Sequence, residues 1–377
     1  MTTEKMRIGI LFGGRSGEHE VSLRSTRSVL EAIDYDKYIV SLIGITKNGK
    51  WITGAKCLDE LERGGESVNL FSNCLILPYS SKNSLVHFDG NVNNNNLDII
   101  DFENLDVIFP ILHGTNGEDG SIQGLLEIAD LPYVGSGVLG SSVGMDKILF
   151  KSVMESHGLP VVPSYSFNRS VYLRKSNEIV AGILDRLDLP VFIKPANLGS
   201  SVGISMANDK DELISGIDEA CKWDRRILVE RRVDAREIEV SVLGNDEPQV
   251  SVAGEIVSNS DFYDYEAKYV SSSAELIIPA SITQNQLRSV QEMALEAYKA
   301  IDCSGMARVD FLLDNVSGDL WVNELNTIPG FTSISMYPKL WQASGVEFSE
   351  LIDILIELAL ERKIQRDSVH RSFEVLH

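Results

Sequence analysis

Short apolar runs alternating with glycine-rich polar loops set the pattern of the first third of the chain. Met6 to Phe12, interrupted only by Arg7, is an apolar run and predicts a buried strand. The loop Gly13-Gly14-Arg15-Ser16-Gly17-Glu18-His19-Glu20 follows, then a helix-like stretch from Ser22 to Ile33 and a second strand from Tyr38 to Ile45. Val107 to Leu112 repeats the arrangement, ending in His113-Gly114-Thr115-Asn116-Gly117-Glu118-Asp119-Gly120 before a helix to Ala129. Strand, glycine loop, helix, strand is the order of an open α/β sheet with loops at the carboxyl ends of its strands. Residues 51–100 are weakly patterned, and the polar run Asn91 to Asn96 reads as a loop.

A second unit begins near Ser136. The pattern there predicts a helix over Met145–His157 stopped by Gly158, a strand Val191–Lys194, a small-residue loop Asn197–Gly203, a helix Asp209–Cys221 and a strand Ile227–Glu230. A third unit opens with two alternating strands, Ile238–Leu243 and Gln249–Ile256. An aperiodic polar stretch, Ser258–Ser273, carries four aromatic residues, and helices are predicted over Thr283–Ile301 and from Phe348 to about Arg362. The expected units are 1–135, 136–235 and 236–377.

Two strand-like segments of the third unit carry candidate chemistry. Side chains two apart on a strand share a face, so Arg308 faces with Asp310, and Glu324 with Asn326. The intervening Asp314-Asn315-Val316-Ser317-Gly318-Asp319 is rich in turn residues and predicts a hairpin. Pairing symmetric about Ser317 sets Asp310 opposite Glu324 and Arg308 opposite Asn326. That face offers three oxygen ligands to a hard cation such as Mg²⁺, beside one guanidinium. The opposite face, Val309, Phe311, Leu313, Trp321 and Leu325, reads as core. A charged, solvated hairpin face explains the same residues equally well, and a bulge near Gly318 would slip the register.

Composition narrows the class. The chain has 377 residues, 44% of them apolar and 24% charged, which suits a globular protein of two or three domains. No apolar run is long enough to span a bilayer, and Met1-Thr2-Thr3-Glu4-Lys5 has no signal-peptide character. Cys57, Cys74, Cys221 and Cys303 are scattered without metal or disulfide spacing, as expected in a reducing cytoplasm. A formal net charge of −21 argues against nucleic-acid or membrane-surface partners. It also means that an anionic substrate needs a local cluster of cations.

Gly199-Ser200-Ser201-Val202-Gly203, after a strand ending in Lys194, suits a phosphate-covering loop. It lacks the Gly-Lys-Ser/Thr close of a Walker A loop, and Gly13-Gly14-Arg15-Ser16-Gly17 lacks the G-x-G-x-x-G spacing. Taken singly, each loop is more simply a tight turn. In order, however, Lys194-Pro195, the 199–203 loop, Val229-Glu230, Arg308-Val309-Asp310 and Glu324-Leu325-Asn326 resemble the ATP-grasp superfamily. Five further segments resemble the D-alanine–D-alanine ligase family within it. They are Gly13-Gly14 with Glu18-His19-Glu20-Val21-Ser22, His113-Gly114 with Gly117–Gly120, Met145-Asp146-Lys147, Tyr263–Tyr269, and Asn326-Thr327 with Pro329-Gly330-Phe331-Thr332. The match is collinear from about residue 7 to residue 360.

The resemblance implies a three-domain ATP-grasp fold: an N-terminal open, Rossmann-like α/β domain and two α+β domains sandwiching ATP. It implies an acyl phosphate made from one D-alanine and ATP, then attacked by the amine of a second D-alanine, in the synthesis of a peptidoglycan precursor. Asp310, Glu324 and Asn326 would hold two Mg²⁺ ions, or Mn²⁺. Lys147 and Lys194 would contact the α and β phosphates, with Ser201 in the loop over them and Lys268 at the γ-phosphate. Glu230 would take the adenine amino group, the backbone of Arg231 and Val233 the base edge, and Glu237 the ribose. Arg308 and the Gly330 N–H resemble the oxyanion site, and Glu18 the anchor for the first ammonium. Glu18, Ser200 and Tyr269 resemble a triad joining the domains; Ser335 resembles the partner of the second carboxylate, with His113 nearby. Ser258–Ser273 would be a mobile lid, and the protein a cytoplasmic homodimer.

Three alternatives stand beside this reading. A D-alanine–D-lactate or D-alanine–D-serine ligase would share most motifs, though Tyr269 beside Lys268 suits an amine nucleophile. A carboxylase would need a biotin or bicarbonate module, which is not visible. A nucleotide-binding module without catalysis would be expected to lose a metal ligand or Arg308, and none is lost.

Overall fold

The computed structural model describes residues 5–64, 72–78, 84–91, 96–258 and 274–370. The first unit runs β1 (Met6–Gly13), α1 (His19–Ala32), β2 (Tyr38–Ile45), β3 (Trp51–Thr53), α2 (Cys57–Glu62), β4 (Ser72–Ile76), β5 (Leu85–Asn91), β6 (Asn96–Glu103), β7 (Val107–Ile111) and α3 (Ser121–Ile128). One sheet contains all seven strands in the order β6-β5-β4-β3-β2-β1-β7. The parallel strands β2, β1 and β7 form the open α/β part. The weakly patterned segment extends it as an antiparallel meander from β2 to β6. Three-residue β3 and five-residue β4 are too short for period-2 alternation to register. Asn91 and Asn96 pair as the ends of the β5–β6 hairpin, and 92–95 lie outside the described residues.

The second stretch runs α4 (Val138–Met145), α5 (Lys147–Ser156), β8 (Ser164–Asn168), α6 (Arg169–Arg186), β9 (Val191–Pro195), β10 (Ser205–Ala207), α7 (Lys210–Trp223) and β11 (Arg226–Arg231). The four strands form an antiparallel sheet, β10-β9-β11-β8. The helix expected over Met145–His157 forms as α5, starting two residues later at Lys147, and α4, which ends at Met145, was not expected. Asp146 adopts extended backbone (φ −86°, ψ 101°), and its carboxylate accepts from the N–H groups of Ile148 and Leu149. That is an N-cap, which separates α5 from α4 and sets its start at Lys147. The pattern also missed α6. Lys175 interrupts it with non-helical backbone, so no single apolar stripe runs its length.

The third stretch runs β12 (Ala235–Gly244), β13 (Gln249–Ser258), β14 (Ala274–Ile277), α8 (Gln284–Ala300), β15 (Gly305–Asp314), β16 (Leu320–Asn326), α9 (Met336–Ala343) and α10 (Phe348–Asp367). Its sheet is antiparallel, β14-β13-β12-β15-β16. Thr283 and Gln286 close α8 with a capping box. Phe150 and Met154 of α5 are buried in this sheet's core with Val240, Val309, Phe311 and Ala297. Ile193, Val229, Leu213 and Ile217 build the central core. Leu351, Ile352 and Leu355 of α10 pack with Ile8, Ile10 and Phe109 of the first sheet, so the C-terminal helix ties the ends of the chain together. Residues 259–273 of the expected lid, including Tyr263–Tyr269 and so Lys268 and Tyr269, lie outside the described residues. Among the described residues no helix is long and apolar enough to cross a membrane.

Candidate active site

The turn after β1 brings the first site residue into place. Gly13 has φ +88°, a conformation that glycine takes without steric cost. The Ser22 hydroxyl accepts from its N–H at 2.7 Å and donates to the Ile111 carbonyl, joining the ends of β1 and β7. Glu18 then occupies the N-cap of α1 but makes no side-chain cap. Its carboxylate instead accepts from the Ser200 hydroxyl, 182 residues away in the 199–203 loop. Ser200 and Ser201 both hold positive φ, +49° and +59°, unusual for residues other than glycine. A methyl group at Gly199 would stand 2.8 Å from Glu18 Oε2, so a side chain there would push the Glu18 carboxylate aside.

The hairpin bears out the expected register. Asp310 pairs with Glu324 and Arg308 with Asn326. A bulge does occur, between Asp310 and Phe311 rather than at Gly318. It leaves the chemical end of the hairpin in register and reverses parity beyond it. Val322 therefore joins Val309, Phe311 and Leu325 in the core. Trp321, expected in that core, instead lies 5.8 Å from the Arg231 guanidinium, which belongs to the central sheet. Arg308 makes a two-point contact with Asp310 at 2.7 Å per bond and meets Glu239 at 2.9 Å. Burial opposes its charge, but Asp310 and Glu239 outweigh that and keep it protonated. Asn326 donates its amide to Asp310 at 3.0 Å.

A cavity of about 530 Å³ connects these features. Glu18, His113, Ser200 and Ser201 line it together with Lys147, Arg308, Glu324 and Asn326. Gly330 and Ser335 complete the wall; a methyl at Gly330 would stand 3.1 Å from Ser335 Oγ. Thr332 holds that hydroxyl through its own N–H and Oγ1, at 3.2 and 2.7 Å. Lys147 donates to the Leu198 carbonyl at 2.6 Å, bracing the 199–203 loop.

Lys194, Glu230, Arg231, Val233 and Glu237 are not in that wall. Lys194 and Glu230 share a face of the central sheet, being diagonal neighbours on β9 and β11. Lys194 pairs with Glu230 Oε2, and Lys151 of α5 holds Oε1 at 2.7 Å. Burial opposes the charge of Glu230, but the two ammonium groups bring its carboxyl down to about 2. Lys194 also feels Glu324 and Glu237 of the third sheet. The Arg231 N–H is taken by the Pro163 carbonyl at 3.1 Å.

Sequence reasoning missed several residues here. Glu118 is half-buried, accepts from the N–H groups of Gly114 and Ile328 at 2.7 and 3.2 Å, and is pushed up to about 8 by desolvation and by the charge of Glu18. Ser25 sits between His113 Nε2 at 3.0 Å and the Phe331 N–H at 3.4 Å. His113 Nδ1 lies 3.0 Å from the Ile328 carbonyl, an acceptor, so that nitrogen carries the proton. Burial lowers the pKa of His113, which makes the ring neutral with Nε2 as acceptor. Glu239 was legible as the next alternate residue after Glu237 on β12. Lys151 was legible only as one turn beyond Lys147.

An open α/β domain joined to two antiparallel sheets that face each other across a cleft, with lysines on one and carboxylates on the other, is the ATP-grasp fold. Two family descriptions match the chain: "D-ala D-ala ligase N-terminus" over residues 7–136 and "D-ala D-ala ligase C-terminus" over 153–357. The D-alanine–D-alanine ligase of Natranaerobius thermophilus is 47% identical, with 97% of each chain covered. That of Geobacillus thermodenitrificans is 46% identical over 98% of this chain and 100% of its own. Among solved structures, the VanG D-Ala:D-Ser ligase of Enterococcus faecalis superposes with a TM-score of 0.82 at 35% identity, covering 94% of this chain and 100% of its own. The D-alanine–D-alanine ligase of Coxiella burnetii gives 0.77 at 33%, covering 97% of each. The chain belongs to the D-alanine–D-alanine ligase family.

Proposed function

We propose that the protein condenses two D-alanine molecules to D-alanyl-D-alanine with ATP, supplying a peptidoglycan precursor. One observation carries this reading beyond family membership. A single cavity gathers a carboxylate from the first unit, a lysine and a glycine loop from the second stretch, and a buried guanidinium beside acidic strand residues from the third.

The first D-alanine carboxylate attacks the γ-phosphorus, giving an acyl phosphate and ADP. The amine of the second D-alanine then attacks the carbonyl carbon, and phosphate leaves. Positioning and charge neutralisation supply most of the catalysis in phosphoryl transfer. Lys147, Lys194 and Lys268 take the phosphates beneath the Ser201 loop. Glu230 and the backbone of Arg231 and Val233 take the base, and Glu237 the ribose. Glu18 anchors the first ammonium, while Arg308 and the Gly330 N–H face the tetrahedral oxyanion. Ser335 takes the second carboxylate, and the neutral His113 ring adds no competing charge near it. Glu18, Ser200 and Tyr269 orient the attacking amine; the Glu18–Ser200 contact supports that arrangement.

Asp310, Glu324 and Asn326 form an all-oxygen donor set on adjacent strands, which fits Mg²⁺ or Mn²⁺. Two such ions, when bound, would neutralise phosphate charge there. The protein is placed in the cytoplasm, where its nucleotide substrate is, and is assigned as a homodimer.

Incubation with D-alanine, Mg²⁺ and ATP, with separation of the products, tests the reading. Equal yields of ADP and D-alanyl-D-alanine are expected, with little ester when D-lactate is the acceptor. ADP released only with D-serine as acceptor would move the protein to the D-alanine–D-serine class.

A further inference from the structure

We propose that Lys151 is a positioning residue that frees Lys194 for the nucleotide phosphates, by remaining as the counter-ion of Glu230 when Lys194 turns away. The proposal rests on the reading that ATP lies between the two sheets with Lys194 on its phosphates.

Glu230 is a single buried carboxylate held by two ammonium groups, Lys151 on Oε1 and Lys194 on Oε2. Counted with Glu230 alone, the two lysines leave one excess positive charge in a largely buried cluster, which suits an anion, while Glu324 and Glu237 act on Lys194 from the third sheet. The two lysines are not equivalent. Lys151 is 5% exposed and also donates to the Val162 carbonyl at 3.1 Å, so two interior partners fix its ammonium. Lys194 is 16% exposed and stands at the cleft side of the sheet, within the field of Glu324 and Glu237. A polyanion entering the cleft therefore recruits Lys194, and Lys151 stays.

Lys151 makes that movement possible. If it were absent, departure of Lys194 would strand a buried carboxylate, and stranding one partner of a buried pair is strongly unfavourable. Glu230 would then retain Lys194 and the phosphates would lose it. Helix α5 carries both roles one turn apart: Lys147 braces the loop over the phosphates through the Leu198 carbonyl, and Lys151 secures the carboxylate behind them.

The test compares the affinity of the full-length protein for MgATP with that for adenosine, by titration calorimetry. The gain from adenosine to ATP isolates the phosphates. Lys151→Met should cut that gain by about tenfold or more, the size of one charge-assisted hydrogen bond, while adenosine affinity changes less. The double variant Lys151→Met/Glu230→Gln should recover most of the gain, because a neutral amide no longer holds Lys194. Equal loss for both ligands in Lys151→Met, or no recovery in the double variant, overturns the proposal. If Lys151→Met fails to fold, the double variant decides alone. Its gain should stay within a few-fold of wild type and vanish on adding Lys194→Met; a double variant without the gain overturns the proposal. The underlying reading fails separately, if Lys194→Met in the otherwise wild-type protein leaves the gain unchanged.

Discussion

Arg308 shows how one side chain serves both the fold and the chemistry. It is the counter-ion of two buried carboxylates, Asp310 and Glu239, and it also lines the cavity. Removing it outright leaves those carboxylates uncompensated, a loss of about 3–5 kcal/mol for a broken buried pair. Arg308→Ala would therefore confuse instability with lost catalysis. Arg308→Lys retains the charge but not the planar fork. We expect it to fold and to bind ATP with affinity close to wild type. We expect its dipeptide synthesis to fall about 10²–10³-fold, the usual effect of losing one oxyanion donor. Steady-state turnover alongside ATP titration checks this. Affinity falling in step with the rate would assign Arg308 to the nucleotide instead.

At the scale of elements, the site is built from loops that approach one another only when glycine permits it. Gly199 and Gly114 both crowd Glu18: an added methyl would stand 2.8 Å from its Oε2 at Gly199 and 2.3 Å at Gly114. Gly199→Ala should displace Glu18 from Ser200 and raise the KM for D-alanine about tenfold to a hundredfold, as one charge-assisted hydrogen bond of ~1.5–3 kcal/mol would. The Kd for ATP should move much less; an unchanged D-alanine KM would show that the loop yields without cost. The hairpin shows what sequence can and cannot provide at this scale. The pairing of Asp310 with Glu324 was legible because parity and a turn-rich loop fix register locally. The misplacement of Trp321 came from a one-residue bulge at Asn323, between Val322 and Glu324, where no glycine or proline marks it. Glu237 was legible through the family resemblance, and alternation from it along β12 would have given Glu239. The Lys151 pair with Glu230, and Ser25 between His113 and Phe331, leave no periodic trace, since their partners come from elements distant in the chain.

The whole molecule depends on α10 to hold its outer sheets together, and Arg362 is where that can be measured. Its guanidinium donates to the carbonyls of Gly135 and Tyr133 at 2.6 and 3.2 Å and to Ser304 Oγ at 3.0 Å. It also lies 4.1 Å over the Tyr133 ring. Tyr133 and Gly135 end the first unit, and Ser304 precedes β15. One side chain thus joins α10 to the end of the first unit and to the start of β15. The backbones there touch as well: a methyl at Gly305 would stand 3.1 Å from Gly135 backbone atoms. Without the arginine, two carbonyls lose a charged donor in a place that packing keeps partly dry. Arg362→Met preserves the apolar stem, so it isolates those contacts from bulk packing. It should lower unfolding stability by about 2–4 kcal/mol, from the usual strength of hydrogen bonds to charged groups. Arg63→Met provides the control: Arg63 is 72% exposed and stands 3.5 Å from Glu60. That change should cost less than about 1 kcal/mol, as exposed pairs do. Urea unfolding of the two variants at one pH and salt concentration separates them. Equal losses would mean that the outer sheets are held by apolar packing of α10 alone, and that Arg362 merely accompanies it.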